Sequence, residues 1–147
     1  AHDAMNKFFR FNVPVIYSDD IVLQRMSCMN CNDDDVVVII SHTGRTKSQV
    51  ELAQLAREND AMVIAITSAG TPLAREATLS ITLDVPEDTD IYMPMVSRLA
   101  QLTLIDVLAT GFTLRRGAKF RDNLKRVKEA LKESRFDKEL PVHSDNP

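Results

Sequence analysis

At 147 residues and 44% hydrophobic composition, the chain is long enough for one domain with a real core and too apolar to be mostly disordered. Aromatic residues make up only 5% and tryptophan is absent, so that core must be aliphatic. A net charge of −3 gives no chain-wide nucleic-acid footprint. No stretch has the length and apolarity of a membrane span and no signal peptide is visible, and Cys28 and Cys31 suit a reduced cytoplasmic setting better than a disulfide framework.

Residues 2–11 are patterned as a helix that Asn12 stops, and 13–17 as a short strand that Pro14 places at a strand start or near an edge. Ser18-Asp19-Asp20 caps a helix over roughly 20–29, and a polar turn follows at 30–34. Val36-Val37-Val38-Ile39-Ile40 has the unbroken β-branched character of a buried, central parallel strand. It stops abruptly at Ser41-His42-Thr43-Gly44-Arg45-Thr46-Lys47-Ser48, and a helix over 48–59 begins at once. A second buried strand over 61–66 ends at Thr67-Ser68-Ala69-Gly70, and Thr71-Pro72 opens a short helix with proline at a tolerated first-turn position. Residues 79–83 alternate like a strand toward one edge, and 86–90 form a polar loop.

The chain opens at Ala1 directly in helix-like sequence, with no initiator Met and no strand in front, so the expectation is a fragment of a longer protein or the portion ordered in a structure. Toward the other end, a helix over 93–112 is apolar on most sides, which predicts burial against a core and a dimer interface, with a central core helix as the alternative. A final helix over 117–136 has a narrow stripe of Phe120, Leu124, Val127 and Leu131. Residues 115–139 hold ten of the eighteen Lys and Arg against five acids; this reads as a solvated helix face in preference to a nucleic-acid patch. The expected organisation is one domain over 1–139 and a loose tail over 140–147.

Alternating helices and strands with short connections predict an α/β fold, a doubly wound and mostly parallel sheet with helices on both faces. In such sheets ligands bind beyond the carboxyl ends of the strands, where Ser41 to Thr46 and Thr67-Ser68 both fall. A helix start presents unpaired N–H groups and a partial positive charge. Ser41, Thr43, Thr46 and Ser48 add hydroxyls there, and Gly44 permits close backbone approach, so the loop is suited to hold a phosphate. Gly44 stands only three residues before Lys47, which excludes the nucleotide-triphosphate loop, and no Gly-x-Gly-x-x-Gly occurs.

The run Ser41-His42-Thr43-Gly44-Arg45-Thr46 resembles the Ser-x-Ser/Thr-Gly-x-Thr loop of the sugar isomerase (SIS) domain. Val63 to Ser68 with Thr71-Pro72-Leu73-Ala74, and Ser97 to Asp106, are similar to that family's next strand and long C-terminal helix. Together they resemble the effector domain of RpiR-family bacterial transcription regulators, in the branch of the HexR-type hexose-metabolism repressors. The resemblance covers nearly all of residues 1–135. It implies a phosphosugar-binding domain that dimerises. Ser41, Thr43 and Thr46 would bind phosphate through hydroxyls, Gly44 and Arg45 through backbone N–H, and Ser68 would lie near the sugar. The implied effector is 2-keto-3-deoxy-6-phosphogluconate. The family's first strand, its Gly-x-Gly-x-Ser loop and the regulators' helix-turn-helix should precede Ala1, so operator DNA would be reached only through that missing part.

Catalysis is not expected. His42 is the obvious candidate base for aldose–ketose isomerisation, but its loop position offers no orienting partner. Glu87 reads as a solvated loop acid that could approach the ligand. Cys28-Met29-Asn30-Cys31 has redox or zinc spacing, yet zinc needs two more ligands and no second pair exists. Asp33-Asp34-Asp35 reads as a solvated turn. No metal or cofactor is expected; a phosphosugar isomerase and a dimerisation module without ligand are the alternatives to a sensor.

Overall fold

The structure, a computed structural model, describes residues 1–88 and 93–132, without the side chains of Lys119 and Asn123. Its elements are α1 (His2–Phe9), α2 (Ile21–Met29), β1 (Val36–Ile40), α3 (Lys47–Glu58), β2 (Met62–Thr67), α4 (Pro72–Glu76), β3 (Leu79–Thr82), α5 (Val96–Arg115) and α6 (Gly117–Lys132). They fall into two compact units, Ala1–Ala109 and the stretch from Thr110 onward.

Local chemistry sets the boundaries. α1 ends two residues before the predicted limit, and Asn12 then takes a left-handed φ of 57°. Asp20 caps α2 by accepting from the Leu23 N–H at 2.9 Å, and its own N–H donates to Ser18 Oγ at 3.0 Å. The three acids before β1 serve a turn: Asp35 accepts from Asn32 N–H at 3.0 Å while Asn32 accepts from Asp34 N–H at 2.9 Å. Asp60, at φ 65°, turns the chain from α3 into β2.

The strands pair in parallel in the order β1-β2-β3, with Val36 opposite Met62 and Ile64 opposite Leu79. Two expectations are corrected here. Residues 13–17 form no strand among the described residues, because nothing pairs with them; Ile16 is 83% exposed. The Val36–Ile40 strand lies at the edge of the sheet and is not central, and Val36 and Val38, on the face turned away from Val37, Ile39 and the core cluster, remain exposed. The buried centre is β2, whose Val63, Ala65 and Ile66 are wholly inaccessible.

The largest core cluster lies on one face of this sheet. Leu52, Ala53 and Ala56 of α3 meet Ile39, Val63 and Ala65, with Cys28 of α2 and Leu73 of α4 completing the cluster. Alanines at 53 and 56 let α3 approach the sheet closely, while full burial of Leu73 contributes roughly 2 kcal/mol. Parity along β2 sends Ile64 and Ile66 to the opposite face. On that side Ile40 shares a cleft with Ile105 of α5, and Lys7 of α1 bridges Asp3 at 2.6 Å and Asp106 of α5 at 2.9 Å. Helices therefore flank the parallel sheet on both faces, as predicted.

α5 begins at Val96, three residues later than expected, and leaves Leu99, Leu102 and Val107 exposed. In the second unit, Phe112 and Phe120 meet edge to face at 5.7 Å, and the Arg116 guanidinium sits 4.8 Å from the Phe112 ring centre. The predicted continuation of the last helix to 136 and the tail at 140–147 lie outside the described residues, as do positions 89 and 90 of the predicted polar loop.

Candidate functional site

The turn from β1 into α3 is anchored by its backbone and open at its side chains. Ser41 N–H donates to Ile66 O at 3.0 Å, extending the ladder one residue past β1. His42 O accepts from Ser68 N–H at 3.0 Å, and Gly44 O accepts from Leu73 N–H at 3.1 Å. The loop is thus stitched to the end of β2 and the start of α4, which brings Ser41 to Thr46 and Ser68 to one end of the sheet.

Gly44 is required there for two reasons. Its φ is +56°, and a Cβ at this position would collide with the hydroxyl oxygens of Thr67 and Thr71. Those two threonines hold the floor of the loop. Thr71 Oγ1 donates to Ser68 O at 3.1 Å and accepts from Ala74 N–H at 3.2 Å, capping α4. Thr67 Oγ1 lies 3.2 Å from Thr71 Oγ1 and 3.4 Å from His42 O. Sequence reasoning missed their supporting role; the signal was threonines at a strand end and at a helix cap, facing a glycine that no pattern connects to them.

The upper side of the loop is chemically unspent. Thr46 is the N-cap of α3, yet its side chain makes no capping hydrogen bond. Among the described residues, the hydroxyls of Ser41, Thr43, Thr46 and Ser48 make no hydrogen bond, and the N–H groups of residues 43–46 donate to nothing. Thr43, Arg45 and Thr46 are exposed, Ser41 and Ser48 half-buried, and Gly44 buried. A twelve-residue helix aims its positive end at this cluster, and Arg45 adds a full charge. Such an arrangement favours an anion with several acceptor oxygens. Ser68 differs from the rest, because its hydroxyl points to Leu83 O at 3.5 Å.

The remaining candidates are placed as follows. The His42 ring has no hydrogen-bond partner among the described residues, so nothing orients it as a base. Glu87 is no free loop acid: its carboxylate accepts from Val96 N–H at 2.7 Å, from Ser97 N–H at 3.3 Å and from the Ser97 hydroxyl. It caps α5, and the Ser97 hydroxyl above all, then the Met95 N–H and the first N–H groups of α5, push its pKa down to about 2. Cys28 is buried and Cys31 donates to Ser27 O at 3.2 Å. Burial pushes both thiols above their ordinary range, which makes them poor thiolates. No group of three or more His, Cys, Asp or Glu able to hold a metal occurs among the described residues. A cleft of about 400 Å³ beside Ile40 is lined by Ala1, His2, Tyr17, Arg98 and Gln101 among others, and no phosphate-loop residue lines it.

Comparison with known proteins identifies the family. The model of the SIS domain family matches residues 1–111. The chain is 90% identical over 146 residues to the HTH-type transcriptional regulator HexR of Escherichia coli, and 53% identical over 146 residues to HexR of Pseudomonas aeruginosa. Each alignment covers 99% of this chain and 50% of the relative, so the chain spans about half the length of these proteins. Among solved structures, Vibrio vulnificus NanR complexed with ManNAc-6P superposes with a TM-score of 0.81 at 23% identity, over 91% of this chain and 51% of that one. No helix among the described residues is long and apolar enough to cross a membrane. Loop motif, parallel sheet and family match converge: the chain belongs to the SIS domain family.

Proposed function

We propose that this chain is the effector-sensing part of a cytoplasmic, DNA-binding transcription regulator of sugar metabolism, and that it binds a phosphosugar at the β1–α3 loop. The observation that carries the reading is the unspent donor set at the α3 N-terminus: free hydroxyls and N–H groups around Gly44, on a backbone already fixed. Support comes from the two relatives named as HTH-type regulators and from the fold neighbour solved with a phosphosugar.

Each residue then has a role. Ser41, Thr43 and Thr46 donate hydroxyls to the phosphate, Gly44 and Arg45 donate backbone N–H, and the Arg45 guanidinium adds charge. Ser68 stands beside the sugar. Residues 1–139 act as one sensing and dimerising domain, with the apolar Leu99, Leu102 and Val107 of α5 meeting a second copy. Ligand affinity must differ between two dimer states for the signal to reach a helix-turn-helix elsewhere in the protein and release operator DNA. The effector is 2-keto-3-deoxy-6-phosphogluconate. The unpartnered ring of His42 gives the isomerase alternative no support.

Calorimetric titration of the full-length regulator with 2-keto-3-deoxy-6-phosphogluconate, glucose 6-phosphate and 6-phosphogluconate tests this. Saturable binding that prefers the keto-deoxy acid, without turnover, is expected; no binding of any of the three overturns the sensor reading.

A further inference from the structure

The second unit carries a charge pattern that phosphosugar sensing does not use. Residues 115–132 hold eight Lys and Arg against Asp122 and Glu129, although the whole chain is net acidic. Within α6 four of the six cations are ordered, while Lys119 and Arg126 stand off the row. Arg121, Lys125, Lys128 and Lys132 stand at i, i+4, i+7 and i+11, so they share one face within about 60°. Phe120, Leu124, Val127 and Leu131 occupy the adjoining stripe, and Asp122 and Glu129 fall on the far side of the basic row.

A solvated helix face ordinarily alternates its charges in i, i+4 pairs. This row does not. Among the described residues, Arg121, Lys128 and Lys132 have no ion pair, and Lys125 reaches only Asp122, at 3.5 Å with both side chains about 70% exposed. An ion pair so exposed holds its lysine weakly. The row extends over about 16 Å, at a rise of about 1.5 Å per residue. A duplex strand places a phosphate about every 3.4 Å along its axis, so four cations in line can face a run of successive phosphates. Long lysine side chains act as adaptable point charges, suited to a backbone and not to base edges.

We infer that the Arg121–Lys125–Lys128–Lys132 face of α6 is a sequence-independent contact for the phosphate backbone of duplex DNA. The inference rests on the regulator reading above, since that reading brings duplex DNA to the protein. The α6 face adds affinity and salt dependence, whereas operator choice belongs to the helix-turn-helix.

The test uses the 147-residue chain and a fluorescent duplex of scrambled sequence, with anisotropy read from 50 to 200 mM salt. Four phosphate contacts predict a slope of log K against log salt of roughly −3 to −4. The variant R121Q/K125Q/K128Q/K132Q retains helix-forming residues and should lose at least about tenfold in affinity with a slope near zero. The opposite variant, D122N/E129Q, should bind more tightly than the parent. Three results would overturn the inference: no binding by the parent at 50 mM salt, an unchanged slope in the quadruple glutamine variant, or equal binding of an acidic polyglutamate peptide, which would assign the face to an acidic protein. The full-length regulator with and without the four glutamines is titrated with the phosphosugar in parallel. That titration reads the sensor proposal alone, so the failure of either reading is told apart from failure of the other.

Discussion

Two strand-to-helix turns lie side by side in this fold and are built from the same residue types. In the β2–α4 turn, Thr71 caps its helix, Thr67 bonds to Thr71 and His42, and the Ser68 hydroxyl is turned toward Leu83 O. Its hydroxyls are consumed in holding the protein together. In the β1–α3 turn, Thr46 occupies the cap position without capping, and the hydroxyls of Ser41, Thr43 and Ser48 bond to nothing among the described residues. The contrast separates structure from recognition: a Ser/Thr-rich turn becomes a candidate anion site when its backbone is satisfied by neighbours and its side chains are not. A spent hydroxyl supports the loop, and an unspent one is the proposed donor to a ligand.

The largest way to break that contrast is to press the two turns apart. Gly44→Ala puts a methyl group into Thr67 and Thr71 and forces a left-handed φ on alanine, so unfolding in urea should show a loss of about 2–4 kcal/mol and phosphosugar binding should disappear. A smaller and sharper test swaps one hydroxyl for a methyl on each side. Thr71→Val should cost about 1–2 kcal/mol of stability through the lost cap. Thr46→Val should leave the urea midpoint where it is and weaken phosphosugar affinity roughly tenfold to a hundredfold. Equal stability losses in the two valine variants would erase the distinction.

Acid pH probes a third cap. Glu87 has its pKa lowered from 4.5 to about 2 by its bonds at the start of α5, so its stabilisation is present above its unfolded value and is lost as pH falls through about 2. The parent should therefore lose more stability between those two values than Glu87→Gln does; matching acid profiles in denaturant titrations would remove the cap from the account. The smallest effect belongs to Ser68→Ala. With only a 3.5 Å contact to lose, stability should stay within about 0.5 kcal/mol, and phosphosugar affinity should drop roughly threefold to tenfold.

Much of this was readable from residue order. The β-branched run at 36–40, the helix expected over 48–59 and found at Lys47–Glu58, and the parallel alternation follow from periodicity and turn chemistry, and the loop motif pointed to the SIS domain. Other features depend on neighbours that local pattern does not encode. Val36 and Val38 read as buried because they are apolar, but their parity puts them on the face away from the Ile39 core, and sheet order left β1 at an edge. Residues 13–17 carry strand propensity, yet a strand exists only with a ladder partner. Glu87 looked like loop decoration because its acceptor role depends on where α5 begins, about ten residues later. Thr67 and Thr71 were invisible as supports because their contact with Gly44 crosses more than twenty residues.

The most direct test of the central claim is calorimetry of the full-length regulator and its S41A/T46A variant with 2-keto-3-deoxy-6-phosphogluconate and with the same sugar lacking its phosphate. The account predicts that the parent binds only the phosphorylated form, and that the variant loses this binding while melting at the parent's temperature. Undiminished binding by the variant, or equal affinity for the two sugars, would contradict it.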